Sequence, residues 1–145
     1  MKAYRLCKAA HVTLDGEGAR RWGGRWNSPG RAMVYAAASP SLAVLEVLVH
    51  LDLPVELLPD DMRMLTLDIP DDLPTRIADQ RLRTEEECRA AGDAFLGEGL
   101  EVAMVVNSVI VPMEANILLN PNNPDMRQVT LVSDQPFAFD PRLLR

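Results

Sequence analysis

The sequence predicts a single α+β domain over residues 1–145, and three observations carry that reading. Leu65, Leu67 and Ile69 alternate with Met64, Thr66 and Asp68, the period of a strand with one buried face. Ser39-Pro40 and Thr84-Glu85-Glu86-Glu87 both read as helix starts, the first a serine cap with proline at the first helical position, the second a capping box. Strand and helix candidates then follow one another without the regular βαβ rhythm of a doubly wound sheet. At 145 residues the chain is the size of one domain, and such a domain buries roughly 68–70% of its unfolded surface, enough for a core without staples.

Taken in order, Ala3–Cys7 is a short strand candidate carrying Tyr4 and Leu6, and polar Asp15–Arg21 suits a helical turn. Gly23 to Gly30 (GGRWNSPG) is so dense in turn formers that it must be loop. Ala32–Ala37 reads as a strand. The first long helix runs from Pro40 to about Leu51, before Pro54, and is apolar almost all round, as expected of a buried helix. Pro70–Asp79 reads as loop, with Pro70 and Pro74 as breakers. The second helix carries Cys88, Ala91 and Phe95 at helical spacing and ends at Gly97 or Gly99. Glu101–Val106 and Val109–Val111 are strand-like and joined through Asn107-Ser108. Asn120–Asp125 is a turn, and Val129–Val132 and Phe137–Phe139 close the chain as short strands.

Composition removes several classes of function. Lys and Arg total 15 against 21 Asp and Glu, a net charge of −6, which counts against direct nucleic-acid binding because duplex affinity comes largely from cations on phosphates. Cys7 and Cys88 form neither a disulfide scaffold nor a CxxC zinc pair. The N-terminal stretch lacks the apolar run of a secretory signal, and the longest apolar stretch, LAVLEVLV, is interrupted by Glu46 and is far shorter than the ~18–20 residues of a membrane span. The expectation is a cytoplasmic protein with reduced thiols.

Four features bear on chemistry. Paired glycines at Gly23-Gly24 let a backbone approach a ligand closely, and Arg25 has the fork geometry for a phosphate; a plain surface turn with a solvated arginine explains the same residues. It is neither a Walker loop nor a dinucleotide fingerprint. Glu46 interrupts the apolar helix, with His50 one turn later. Either it belongs to a narrow solvent face of Ser39, Ala43, Glu46 and His50, or it aims a carboxylate into a pocket from a rigid helix; the pair alone supplies too few ligands for a metal. Tyr35 suits a half-buried core position. Asn107-Ser108, between two apolar runs, is most simply a bulge or strand end, and with no GxSxG elbow a serine hydrolase is disfavoured.

Read together and in order, these segments resemble the RES-domain family, named for an arginine, a glutamate and a serine. The matching stretches are Tyr4-Arg5-Leu6, Gly18-Ala19-Arg20, Gly23 to Gly30, Val34-Tyr35, Leu45 to Leu51 (LEVLVHL) and Gly92 to Leu96 (GDAFL). They continue with Asn107-Ser108, Val111-Pro112, Asn116 to Pro121 (NILLNP), Pro136-Phe137 and Phe139 to Leu143. The resemblance spans nearly the whole chain, and GGRWNSPG followed by LEVLVHL is its most specific part. Thr75–Glu87 is shorter than the corresponding family segment.

The resemblance implies an ADP-ribosyltransferase-like fold, a mixed or antiparallel sheet with flanking helices. It implies a toxin of a bacterial toxin–antitoxin pair that cleaves NAD by hydrolysis or phosphorolysis. Transfer of ADP-ribose to a cellular protein is the alternative within enzymes, and a non-catalytic ligand- or partner-binding module the alternative outside them. NAD is then a substrate, with no cofactor and no metal. The implied partner is a cognate helix-turn-helix antitoxin of the Xre type that blocks the active site; a homodimer within that complex is allowed, direct contact with DNA or membrane is not implied. Carried over by position, Arg25, Glu46 and Ser108 are the name residues, and Arg5 and Tyr35 match further residues of the NAD pocket.

Residue chemistry agrees with these roles. Breaking the nicotinamide–ribose bond develops oxocarbenium character on the ribose, which a carboxylate such as Glu46 would stabilise while bonding ribose hydroxyls. Arg5 and Arg25 suit a pyrophosphate or the adjoining ribose. Tyr35 would stack on nicotinamide, and Ser108 would hydrogen-bond the nicotinamide or ribose end. Nicotinamide leaves from a ring that already carries positive charge, so no strong general acid is required.

Overall fold

The computed structural model describes residues 1–144 and is organised around one seven-stranded sheet. In chain order the elements are β1 (Lys2–Lys8), α1 (Glu17–Trp22), β2 (Val34–Ala37), α2 (Pro40–Leu51), β3 (Met62–Asp68), β4 (Thr75–Ile77), α3 (Glu85–Glu98), β5 (Ala103–Asn107), β6 (Ala115–Leu119) and β7 (Thr130–Phe137), with short 3-10 turns between some of them. The strands lie in the order β4-β5-β6-β2-β1-β3-β7, antiparallel except for β4 beside β5. The α+β class read from the sequence is the class observed, with a mixed sheet.

Strand alternation assigns the two faces. Ala3 and Cys7 of β1, Val34 and Ala36 of β2, and Ile117 and Leu119 of β6 share one cluster with Leu65, Leu67 and Ile69. Loop residues such as Val12, Leu14, Leu73 and Met126 cover that face. The intervening residues face the helices. Tyr35, Met104, Val106 and Leu118 pack with Cys88 and Phe95 of α3, while Tyr4, Leu6, Ala37 and Met64 pack with Leu42 and Ala43 of α2. Both long helices therefore lie on one side of the sheet. Their caps are those the sequence predicts: Ser39 Oγ accepts from the Leu42 amide at 3.2 Å, and Thr84 Oγ accepts from the Glu87 amide at 3.0 Å. Of the two glycines offered as the end of α3, Gly99 is the cap.

Four sequence expectations change. The helix α2 is not buried all round: only Leu42 and Ala43 are fully buried, and Leu45 and Val49 are 38% and 57% exposed, because the sheet covers one side of the helix alone. Pro70–Asp79 contains strand β4, exposed along most of its length and held by parallel pairing with Ala103–Val105 rather than by a buried face. Val109–Val111 is not a strand, despite its β-branched residues, since Ser108 Oγ accepts the amides of Ile110 and Val111 at 3.1 and 3.0 Å and curls the backbone into a tight loop. The two closing strands are one, β7, which among the described residues pairs only with β3; as an edge strand it tolerates polar Ser133-Asp134-Gln135 in its middle and Pro136 near its end.

The glycine-rich turn is locked from every side. Asn27 is fully buried, and its Nδ2 lies 2.8, 3.2 and 2.9 Å from the carbonyls of Ala19, Ser28 and Arg31. The Tyr35 hydroxyl donates to Asn27 Oδ1 at 2.6 Å and accepts from the Trp26 amide at 3.0 Å. It approaches so closely that a Cβ on Gly24 would lie 2.6 Å from it. Asp93 of α3 accepts from the Ser28 amide and hydroxyl. One residue earlier, a Cβ on Gly92 would fall 1.6 Å from the Trp26 carbonyl oxygen. The helix and the turn are in backbone contact there, and no side chain fits between them.

Gly92→Ala should therefore cost about 3 kcal/mol or more, beyond ordinary overpacking, because backbone rather than a flexible side chain must move. Urea unfolding reads this directly, and an unchanged midpoint contradicts the contact. Tyr35→Phe orphans two buried groups and should cost about 1–3 kcal/mol. Burial pushes the Tyr35 phenol up to about 12 from 10.0, so between those values the unfolded chain ionises while the folded one stays neutral. Stability should fall as pH rises through that window, and less steeply in Tyr35→Phe; identical slopes would refute the buried phenol.

Candidate active site

Glu46 is the centre of a polar cluster beneath α2. The α2 helix starts above Ala37, and Leu42 and Ala43 anchor its first turns against β1 and β2. One turn after Leu42, Glu46 reaches the β5–β6 connection. Its Oε1 accepts from Ser108 Oγ and from Asn116 Nδ2, both at 2.8 Å. Ala43, which the solvent-face alternative for Glu46 requires to be exposed, is 5% exposed. Glu46 is thus an engaged, half-buried carboxylate rather than part of a solvated stripe.

Ser108 is 2% exposed, and its hydroxyl is fully committed. A hydroxyl has one proton and two lone pairs. The proton goes to Glu46, and the oxygen accepts the two loop amides. The backbone seals the same loop, with the Ser108 amide on the Glu114 carbonyl at 2.9 Å and Ser39 Oγ donating to Glu114 Oε1 at 2.9 Å. Ser108 therefore holds Glu46 and has no spare donor for a ligand while that bond stands.

Beside this cluster is a pocket of about 280 Å³ lined by Arg25, Trp26, Leu82, Cys88, Ser108 and Val109 among others. Arg25 enters it from the locked turn and Ser108 from the end of β5. Ala78, Asp79, Gln80, Leu82 and Arg83, from the connection between β4 and α3, add to the lining. Arg25 is lightly held: Nη2 reaches the Arg83 carbonyl at 3.5 Å, Nη1 lies 3.8 Å from exposed Glu85, and Nε is buried without a partner. A guanidinium with so few commitments has donors left for an anion.

Tyr35 stands between these parts. Its hydroxyl is spent on the turn, so the polar end of the side chain braces Arg25's backbone, while the ring packs against the α3-side core and is not part of the pocket lining. Arg5 stands apart. It leaves β1 from the face of Ala3 and Cys7, and no hydrogen bond or ion pair among the described residues joins it to Arg25, Glu46 or Ser108. β1 and β2 pair at one position, Tyr4 with Ala37, and Arg5 Nη1 donates to the Tyr35 carbonyl at 2.9 Å, leaving its Nε buried and unpartnered. It reaches the site through the backbone of Tyr35. His50, one turn beyond Glu46, is exposed. Among the described residues no group of three or more His, Cys, Asp or Glu is arranged to hold a metal ion, and no helix is long and apolar enough to cross a membrane.

Asn116 is the site residue that the sequence reading missed. Its signal was present: an asparagine inside the apolar strand ANILL, where a polar side chain is costly unless it meets a partner.

Comparison with known proteins places the chain in a family and a fold. The RES domain profile matches residues 2–140. A protein of Photorhabdus laumondii named Toxin Res is 37% identical over 155 aligned residues, covering 100% of this chain and 98% of the relative. A Toxin Res of Pseudomonas putida is 37% identical, covering 93% and 95%. A protein of Sphingobium sp. named Prs ADP-ribosylating toxin is 34% identical, covering 91% and 87%. Among solved structures, a chain of the M. tuberculosis MbcT-MbcA toxin-antitoxin complex superposes with a TM-score of 0.76 at 23% identity, over 98% of this chain and 85% of that one, a likeness of fold. With the family profile running over residues 2–140 and relatives 37% identical along nearly their whole length, the chain belongs to the RES domain family.

Proposed function

We propose that this chain is the toxin of a toxin–antitoxin pair and that it cleaves NAD at the nicotinamide–ribose bond. The observation that carries the reading is the Glu46 carboxylate, held by one oxygen beside a pocket that Arg25 enters with uncommitted donors. Bond cleavage builds positive charge on the ribose, and a fixed carboxylate stabilises it without reorganising at the moment of reaction. Arg25 binds the pyrophosphate or the adjoining ribose by its fork. Tyr35 holds the turn that carries Arg25. Ser108 orients Glu46. Arg5 fixes the backbone of Tyr35 and supplies further positive charge. NAD is substrate, and no resident cofactor or metal enters the scheme.

The names of the relatives support the toxin assignment, and one of them favours a second reading. The Sphingobium relative is named as an ADP-ribosylating toxin, so a protein side chain could replace water or phosphate as acceptor here, with the same first step. An antitoxin carrying a helix-turn-helix domain of the Xre type would silence the enzyme by covering Arg25 and would provide the DNA contact that a chain of net charge −6 does not. Free nicotinamide from the purified chain and NAD separates catalyst from binding module. Labelled NAD with lysate separates transfer from hydrolysis or phosphorolysis.

Glu46→Gln is the sharpest variant. The glutamine oxygen keeps both hydrogen bonds, and the free, charged oxygen becomes a neutral amide nitrogen. Turnover should fall about 10²–10³-fold with the fold intact; near-normal nicotinamide release by folded protein would refute the role. Arg25→Lys keeps the charge and loses the fork, so KM for NAD should rise and kcat fall together, on the order of tenfold each. A kinetic titration showing both unchanged would make the turn purely structural.

A further inference from the structure

Glu46 is held asymmetrically. Both of its donors, Ser108 Oγ and Asn116 Nδ2, sit on Oε1, and among the described residues no donor is within hydrogen-bond distance of Oε2. A glutamate side chain has three torsions, and one hydrogen bond to one oxygen leaves the carboxylate free to pivot. A second donor from a different direction removes that freedom. The donors come from opposite ends of the β5–β6 connection, Ser108 just beyond β5 and Asn116 at the second residue of β6. Asn116 lies in register with Ala37 on one side and Val106 on the other, and both of these pack on the helix face. Small Ala37 leaves room for the Glu46 side chain to reach the amide.

We propose that Asn116 is a positioning residue which, together with Ser108, pins Glu46 by Oε1 and reserves Oε2 for the substrate. The proposal rests on the reading of Glu46 as the carboxylate that meets the ribose. The two donors are not equivalent. Ser108 is itself fixed by two loop amides, so it sets where Oε1 lies; Asn116 sets the plane of the carboxylate about that point. Losing Asn116 leaves Glu46 charged and tethered but turned, which penalises the transition state more than the binding of NAD, whose affinity is carried by Arg25 and the pocket wall.

The test compares Asn116→Ala and Asn116→Asp with the wild-type chain in steady-state nicotinamide release. Both variants should lose kcat about 10- to 100-fold with KM for NAD changed less than about threefold, because a misplacement of the order of 1 Å has that effect. Asn116→Asp, close in size but facing Glu46 with an oxygen instead of a donor, should be at least as slow as Asn116→Ala. A merely structural asparagine would lower the melting temperature and leave kcat alone, and wild-type kcat in either folded variant overturns the proposal. A second reading needs no Asn116 variant. In ¹⁵N spectra the side-chain amide of Asn116 should move strongly in Glu46→Ala, and an unmoved cross-peak overturns the clamp. If wild-type protein releases no nicotinamide, the NAD reading falls, while the amide shift still decides whether Asn116 holds Glu46.

Discussion

A glycine-rich loop holds an arginine at a pocket mouth only if its backbone polar groups are satisfied from within, and here one fully buried side chain does most of that. Asn27 spans the carbonyls of Ala19, Ser28 and Arg31 and takes the Tyr35 hydroxyl. Through it α1, the turn and β2 become one unit, and through Asp93 and Gly92 that unit is fastened to α3. Such a network is costly when half satisfied and rigid when complete. The placement of Arg25, the packing of Trp26 under α3 and the pocket wall all follow from it.

The carboxylate side of the site obeys the same logic with different parts. An apolar helix would bury Glu46 at a penalty unless partners met it, and the β5–β6 connection brings two. Ser108 also explains why Val109–Val111 is a loop: its oxygen takes amides that a sheet ladder would otherwise use. One hydroxyl thus shapes the loop and orients the carboxylate. Arginine and carboxylate are carried on separate elements, turn and helix, and Ser108, which lines the pocket beside Arg25 and bonds Glu46, links the two.

Much of this was legible beforehand because it was local. Caps at Ser39 and Thr84, the alternation of β3 and the density of turn formers from Gly23 to Gly30 are short-range signals, and each is found where expected. The family motifs added Arg25, Glu46 and Ser108. What stayed hidden depends on partners far apart in the chain. Strand β4 exists because β5 lies beside it, 28 residues on at Thr75 and Ala103. The exposure of Leu45 and Val49 depends on how much of α2 the sheet covers. Asn116 meets Glu46 across 70 positions, and Ser108 reads as a ligand donor until its proton and both lone pairs are counted in three dimensions. Arg5, placed in the NAD pocket by resemblance, projects from the strand face opposite the helices and meets the site through a carbonyl.

In the proposed reaction Glu46 offers one oxygen to the ribose while Arg25 holds the phosphates. A crystal structure of the full chain with a non-cleavable NAD analogue decides between this division of roles and any other. A ribose hydroxyl should lie on Oε2 of Glu46, with Oε1 still on Ser108 and Asn116 and the Arg25 fork on the pyrophosphate or its ribose. An analogue bound away from Glu46, or one that displaces Ser108 and Asn116 from Oε1, would contradict it.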